Sequence, residues 1–228
     1  MSDQPLLGQV AVVTGAAGAL GQAVVARFAA LGATLAQLDV INAANDHYSD
    51  TCDLTDPAAV QAAVDRIVSE LGGINIVANI AGGFAMGETV HETQERTWDF
   101  LMGLNAGSVL NMAKASVPVM LKQGAGKIVN VGAGPGQRGA ALMGAYAASK
   151  SVVIRLTETM AEELKEQGIN VNCVLPSIID TPRNRSDMPD ADFSRWVTPE
   201  AMARVVSFLA CADSDPIHGA AIPVTGLS

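Results

Sequence analysis

Tyr146 and Lys150 lie four residues apart in a helix-forming stretch, a spacing that puts both side chains on one helix face. A phenol with an ordinary pKa near ~10 exchanges protons poorly at neutral pH. A neighbouring ammonium stabilises the phenolate and lowers that value, which makes the pair a usable general acid or base. A surface Tyr and Lys at chance helical spacing look the same, so the pair needs a chemical context. Thr14-Gly-Ala-Ala-Gly-Ala-Leu-Gly21 provides one, set between an apolar strand and a helix. Gly15, Gly18 and Gly21 permit a tight turn and a close backbone approach to a pyrophosphate, and the helix N-terminus favours the anion. Ala17, Ala19 and Leu20 are counted with them as cofactor-binding.

A glycine triplet alone is weak evidence; Asp39 strengthens it. It ends the second predicted strand, 18 residues past Gly21, where an acid binds the adenosine-ribose hydroxyls and repels a 2′-phosphate. No Lys or Arg lies between positions 33 and 51 to attract that phosphate, so the expected cofactor is NAD(H) rather than NADP(H). Asp53, beside Leu54, is placed to accept from the adenine amino group, although a solvated loop acid or a helix cap reads the same. Asn79, Ala81 and Gly82 end the fourth strand at the edge where α/β folds bind ligands, and an ordinary turn reads the same there too.

The elements that must position these residues alternate along the chain. Strands are predicted at 9–14, 33–39, 74–78, 127–131, 170–175 and 221–224, with a further one before Cys52. Helices are predicted from the glycine loop to about 31, then at 56–70, 95–122, 145–167 and 198–210. Apolar strands alternating with amphipathic helices imply a single Rossmann-type domain over 1–228. Its doubly wound parallel sheet would have about seven strands in the order 3-2-1-4-5-6-7, with helices on both faces. The irregular stretch 176–197 is the one sizeable interruption and is expected to be a substrate-binding loop or lid.

Composition narrows the function. Net charge is −9, which disfavours a nucleic-acid or anionic-membrane partner, and no apolar run approaches the ~18 residues of a membrane span. The first five residues lack the basic start and apolar core of a secretory leader. Cys52, Cys173 and Cys211 are widely spaced, and so are His47, His91 and His218, so reduced structural thiols, a cytoplasmic location and no catalytic metal are expected.

With these motifs in order, the chain resembles a short-chain dehydrogenase/reductase over its whole length. The resemblance rests on the glycine loop, Asp39, Asp53, Asn79-Ile-Ala-Gly82, Asn105, Tyr146-Ala-Ala-Ser-Lys150 and the run from Pro176 to Thr181. It implies that Tyr146 is the proton donor in reduction and that Lys150 binds the nicotinamide ribose and tunes Tyr146. It further implies that Asn105 helps to hold a water in a proton relay, and that Thr181 contacts the carboxamide, with Pro176 and Ile179 also on the cofactor. The long central helix carrying Trp98 and Met102 often packs against a partner subunit in this family, which implies a homo-oligomer, dimer or tetramer.

Two departures matter. Most single-domain members read Gly-x-x-x-Gly-x-Gly, whereas this loop reads Gly-x-x-Gly-x-x-Gly. The family's catalytic Ser sits thirteen residues before the Tyr, and that position is Ala133; residues 132–145 contain no hydroxyl at all. Losing a donor to the substrate oxygen costs about 3–4 kcal/mol of transition-state stabilisation, by analogy with an oxyanion hole. Three readings follow: an already electrophilic substrate, a replacement donor such as water or Gln137, or a nucleotide-binding regulator without turnover.

The quinonoid dihydropteridine reductase branch resembles the chain in both departures. It lacks the Ser, keeps the Tyr and Lys, and reads Gly-x-x-Gly-Ala-Leu-Gly; further similar segments are Ala81-Gly-Gly-Phe-Ala85, Val131-Gly-Ala133, 174–185 and 188–196. An NADH-dependent reduction of an activated quinonoid or carbonyl small molecule is therefore expected, with an ordinary carbonyl or alcohol substrate as the alternative. Ala133, Phe84, Met143, Ile178 and Trp196 are the candidate substrate contacts, each as readily read as core or oligomer contact; Phe84 would stack on a planar ring.

Overall fold

The structure, a computed structural model, describes residues 4–42 and 45–228. The leader reading falls partly on residues 1–3, and the cation-free stretch 33–51 includes Ala43 and Ala44; those five lie outside the described residues.

Among the described residues, seven parallel strands form one sheet in the order β3-β2-β1-β4-β5-β6-β7, as the alternating pattern predicts. They are β1 Val10–Thr14, β2 Thr34–Asp39, β3 Tyr48–Thr51, β4 Ile76–Asn79, β5 Gly126–Val131, β6 Ile169–Pro176 and β7 Ala221–Val224. Strand β1 lies between β2 and β4, with Val12 opposite both Ala36 and Val77. The chain order reverses there, so a crevice opens at the carboxyl ends of β1 and β4.

Side-chain alternation along β1 divides the core into two layers. Val10 and Val12 face the helices α2 (Pro57–Leu71), α4 (Ser108–Gln123) and α5 (Gly144–Leu164), meeting residues such as Ile67, Met112 and Ile154. Ala11 and Val13 face α1 (Ala19–Ala30) and α7 (Pro199–Ala210), against Phe28 and Val206. Burying a side chain such as Phe28 contributes roughly 1.5–3 kcal/mol, and the two layers hold the strand ends in a fixed frame. Local chemistry sets the helix ends. Asp56 caps α2 by accepting from the Ala58 amide at 2.8 Å ahead of Pro57, and Gly72 closes it with φ 85°.

Two expectations need correction. The helix predicted over 95–122 is three pieces: α3 (Glu95–Leu101), a π-helical turn over Met102–Gly107, and α4. Gly103 and Gly107 weaken the helix there, and bonds from Asn105 to Gly83 compensate for the widened turn. The stretch 176–197 is partly regular. It contains α6 (Pro182–Asp187), a 3-10 turn at Phe193–Arg195 and a bridge between Ile179 and Val197.

Candidate active site

The three loop glycines have different physical reasons. Gly15 has φ +64°, and a Cβ there would lie 2.8 Å from the Ala81 backbone. At Gly21 a Cβ would lie 2.0 Å from the Gly15 carbonyl oxygen, so α1 is pressed onto the turn. Gly18 caps α1, and its added Cβ would meet only the Gly15 oxygen, at 3.4 Å, an ordinary contact. The first amides of α1, from Ala19 and Leu20, therefore begin beside open space, as an anion requires. Thr14 Oγ1 accepts from the amides of Ile80 and Ala81 at 3.1 and 3.2 Å, which joins the ends of β1 and β4 across the crevice. Asp39 Oδ2 accepts from the Ala17 amide at 2.9 Å, so the acid at the end of β2 also fixes the turn.

Asp53 lies exposed in its own turn. Its Oδ1 accepts from the Thr55 hydroxyl at 2.6 Å and the Thr55 amide at 2.9 Å, and these bonds hold its carboxyl below the usual range. The Leu54 side chain is buried, and its carbonyl accepts from Asn111 at 3.0 Å. The Asn79 amide nitrogen donates to Asn130 at 2.8 Å, Asn130 to Thr157 at 2.9 Å, and Thr157 to the Val153 carbonyl at 2.8 Å. That buried chain ties β4 and β5 to α5, so this part of Asn79 serves the core.

Tyr146 and Lys150 occupy the first turns of α5. Lys150 is 5% exposed, its Nζ donates to the Val131 carbonyl at 2.8 Å, and burial pushes its pKa down to about 8. Burial likewise pushes the Tyr146 phenol up to about 12. Burial dominates the Tyr146 value in this geometry, and the Lys150 ammonium is directed at the Val131 carbonyl.

Asn105, in the π-helical turn, accepts from the Gly83 amide at 2.8 Å and donates to the Gly83 carbonyl at 3.1 Å and to Ser149 Oγ at 2.9 Å. Ser149 in turn donates to the Tyr146 carbonyl at 2.8 Å. Gly82 closes the cluster: a Cβ there would lie 2.9 Å from Asn105 Oδ1 and 3.2 Å from Lys150 Nζ. The structure thus brings Gly82, Asn105 and Lys150 together and links Asn105 to Tyr146. Sequence reasoning missed Asn130 and Thr157 and gave no separate role to Thr14 and Ser149 within the motifs it quoted; a polar residue inside an apolar strand or helix was the available signal.

Ala133 is 3% exposed with extended backbone at the end of β5, so a buried methyl stands where a hydroxyl was sought. Gln137 is exposed on the following loop. Phe84, 51% exposed, meets Tyr146 edge to face with ring centroids 4.9 Å apart. Met143 precedes α5, bridges to Glu88, and lines a cavity of about 60 Å³ with Ala85 and Leu142.

Trp196 is 7% exposed and packs on Phe193 with centroids 4.8 Å apart, so it is mainly a core residue of the segment and not an open pocket wall. Arg185 lies over the Phe193 ring at 4.7 Å and grips Asp180 through two bonds of 2.6 and 2.8 Å. Pro176 ends β6 opposite Val224, the Ile178 carbonyl accepts from the Val197 amide at 3.1 Å, and Ile179 bridges to Val197. Thr181 caps α6 by accepting from the Asn184 amide at 3.2 Å.

Known proteins with the same pattern are numerous. The family model described as short chain dehydrogenase matches residues 9–192. A 3-oxoacyl-[acyl-carrier-protein] reductase of Thermotoga maritima is 31% identical over 97% of this chain and 98% of its own. The 2-dehydro-3-deoxy-D-gluconate 5-dehydrogenase of Escherichia coli is 32% identical over 99% of this chain and 97% of its own. A rat protein, dehydrogenase/reductase SDR family member 6, is 30% identical over 97% of both chains.

Proposed function

The chain belongs to the short-chain dehydrogenase family, and on that premise we propose that it is an NADH-dependent reductase of an activated small molecule, quinonoid or carbonyl. The observation that carries the reading is Ala133. With a buried methyl at the serine's position, Tyr146 is the one side-chain donor assigned to the substrate, which suits a substrate that accepts hydride readily. A quinonoid dihydropterin is such a substrate, and Phe84, against the Tyr146 ring, offers a face to a planar ring.

The cofactor residues fit a dinucleotide. The open N-terminus of α1 at Gly18 takes the pyrophosphate, Asp39 the adenosine ribose, and Asp53 with Leu54 the adenine end. Ala81, Gly82, Pro176, Ile179 and Thr181 line the nicotinamide end. When bound, NADH supplies the hydride. Tyr146 supplies the proton from its hydroxyl, and because burial raises that phenol to about 12, the transfer depends on the Lys150 ammonium lowering it when the site is assembled. Lys150 holds the nicotinamide ribose, and Asn105 keeps the Tyr146 turn in place through Ser149. The segment 176–197 covers the substrate. We place the enzyme in the cytoplasm as a homo-oligomer, with the exposed Trp98, Phe100 and Leu110 of α3 and α4 at the subunit contact.

A second reading, reduction or oxidation of an ordinary carbonyl or alcohol, is favoured by the names of the relatives, among them an oxoacyl reductase and a sugar-acid dehydrogenase. NADH oxidation assayed with quinonoid dihydropterin beside a panel of ketones and quinones separates the two. Fastest turnover of the quinonoid compounds supports the first reading, and fastest turnover of plain ketones the second. No turnover of any compound would leave a nucleotide-binding regulator, and tighter binding of NADPH than NADH would overturn the cofactor assignment.

A further inference from the structure

The loop that follows Ala133 has a feature the reductase chemistry does not use. Gly134, Pro135, Gln137, Arg138, Gly139 and Ala140 line a hollow of about 550 Å³ that is open to solvent, within the ~300–1,000 Å³ range of small-molecule sites. Arg138 lies on its wall, exposed. Arg66, Lys127, Arg155, Lys165, Arg183 and Arg185 each pair with a carboxylate, and Arg138 is in none of the ion pairs among the described residues. Arg27, Arg96, Arg195 and Arg204 are likewise in no ion pair among the described residues, and what distinguishes Arg138 is its place on the cavity wall.

Two glycines in the same wall point the same way. A Cβ added at Gly134 or Gly139 would meet nothing within 4 Å, and neither residue has the positive φ that demands glycine. Their neighbours Gly132 and Gly136 are required, since a Cβ at either would lie 2.7–2.8 Å from Leu175 or from the Lys150 backbone. Bare backbone with nothing of the protein against it is what a ligand approaching closely needs. The loop that carries the wall is anchored between its lining residues: Ser151 Oγ donates to the Gly136 carbonyl at 2.7 Å, which fastens the loop to α5 one residue past Lys150.

We propose that this cavity is an anion subsite in which Arg138 receives a carboxylate or phosphate carried by the substrate. The proposal rests on the reductase reading and adds a substrate class to it: an activated carbonyl or quinonoid compound with an anionic tail. A guanidinium suits both oxyanions because its fork of N–H donors matches their paired oxygens. Binding at a non-reacting group also answers the alanine at 133, since remote binding energy holds the reacting carbon in place when a local donor is lacking.

The test uses matched pairs: acetoacetate with methyl acetoacetate, and dihydroxyacetone phosphate with dihydroxyacetone. Each is presented to the NADH-loaded wild type and to the R138A and R138K variants. NADH oxidation gives KM and kcat, and quenching of NADH fluorescence gives dissociation constants whether or not turnover occurs. The wild type should prefer the charged member of at least one pair by about tenfold, through KM or binding. R138A should lose that preference with NADH affinity and the neutral member unchanged, and R138K should restore part of it. The pair that discriminates identifies carboxylate or phosphate. No preference in the wild type, a preference that survives R138A, or an equal loss on both members would overturn the subsite. Absence of turnover on every compound would count against the reductase reading, while the binding measurements still decide the subsite.

Discussion

The Lys150 ammonium is bonded to the Val131 carbonyl, two residues before Ala133, so α5 is tied by its own lysine to the last residue of β5. Gly82 reinforces the arrangement, because any side chain there would crowd both Lys150 Nζ and Asn105 Oδ1. The cation is thus held against the β5 backbone, beside Gly82 past the end of β4, at the cost of desolvation.

That burial has a measurable consequence for stability. Lys150 is pushed from 10.5 to about 8 by burial, so above pH 8 the unfolded chain keeps a proton that the folded chain has released, and stability rises with pH. Cys173, pushed by burial from 9.0 to about 11, opposes this above pH 9, and Tyr146, pushed from 10.0 to about 12, opposes it above pH 10. The unfolding free energy should gain about 1 kcal/mol between pH 8 and 9, level off, and fall above 10. Urea titrations across that range measure it, and Lys150→Met should flatten the rise between 8 and 9. A wild type whose stability falls from pH 8 to 9 would contradict the buried, depressed lysine.

Tyr146→Phe removes one hydroxyl and keeps the ring that Phe84 packs against. Turnover should drop by roughly 10²–10⁴-fold, the range of a lost general acid, with NADH affinity within about twofold of wild type. Unchanged turnover in steady-state assays would place the proton donor elsewhere.

Much of this molecule is legible in its sequence because the signals are local. Apolar strands, the Asp56-Pro57 helix start and the four-residue Tyr–Lys spacing act within a turn or a strand, and the sheet order follows from them. What escaped detection depends on partners distant in the chain. The π-helical turn keeps the apolar period of a continuous helix, and Asn105 is drawn inward by Gly83, 22 positions earlier. Lys150 meets a backbone carbonyl, which has no residue signature. Trp196 reads from its type equally as pocket wall, core or oligomer contact, and what decides is burial against neighbours such as Phe193, over whose ring the Asp180-bound Arg185 lies.

Ala133→Ser tests the account of the missing hydroxyl. The site is buried and its backbone extended, so one added oxygen fits a conformation that serine adopts freely. An extra donor helps most where the substrate oxygen is least activated. Turnover of plain ketones should rise by ten- to a hundredfold, short of the ~10²–10³ of a full oxyanion-hole donor, and that of quinonoid compounds by less. Equal gains, or none, in parallel kcat/KM measurements would remove Ala133 as the basis of substrate choice.

The glycine loop separates folding from binding in a single pair of variants. Gly21→Ala puts a methyl 2.0 Å from the Gly15 carbonyl, between two backbone segments that cannot yield, so α1 must shift away from β1. Thermal unfolding should drop by several degrees, in keeping with the ~1–3 kcal/mol of an overpacked site. Gly18→Ala meets only an ordinary 3.4 Å contact at a backbone conformation alanine accepts, φ −72° and ψ 163°, so stability should stay within about 0.5 kcal/mol. Its methyl stands instead where a pyrophosphate would approach the first amides of α1. NADH affinity, read by fluorescence titration, should therefore fall at least tenfold in Gly18→Ala while its melting curve overlays the wild type. A Gly18→Ala protein that binds NADH normally would mean that the dinucleotide does not lie against this turn, and Asp39 would lose its role with it.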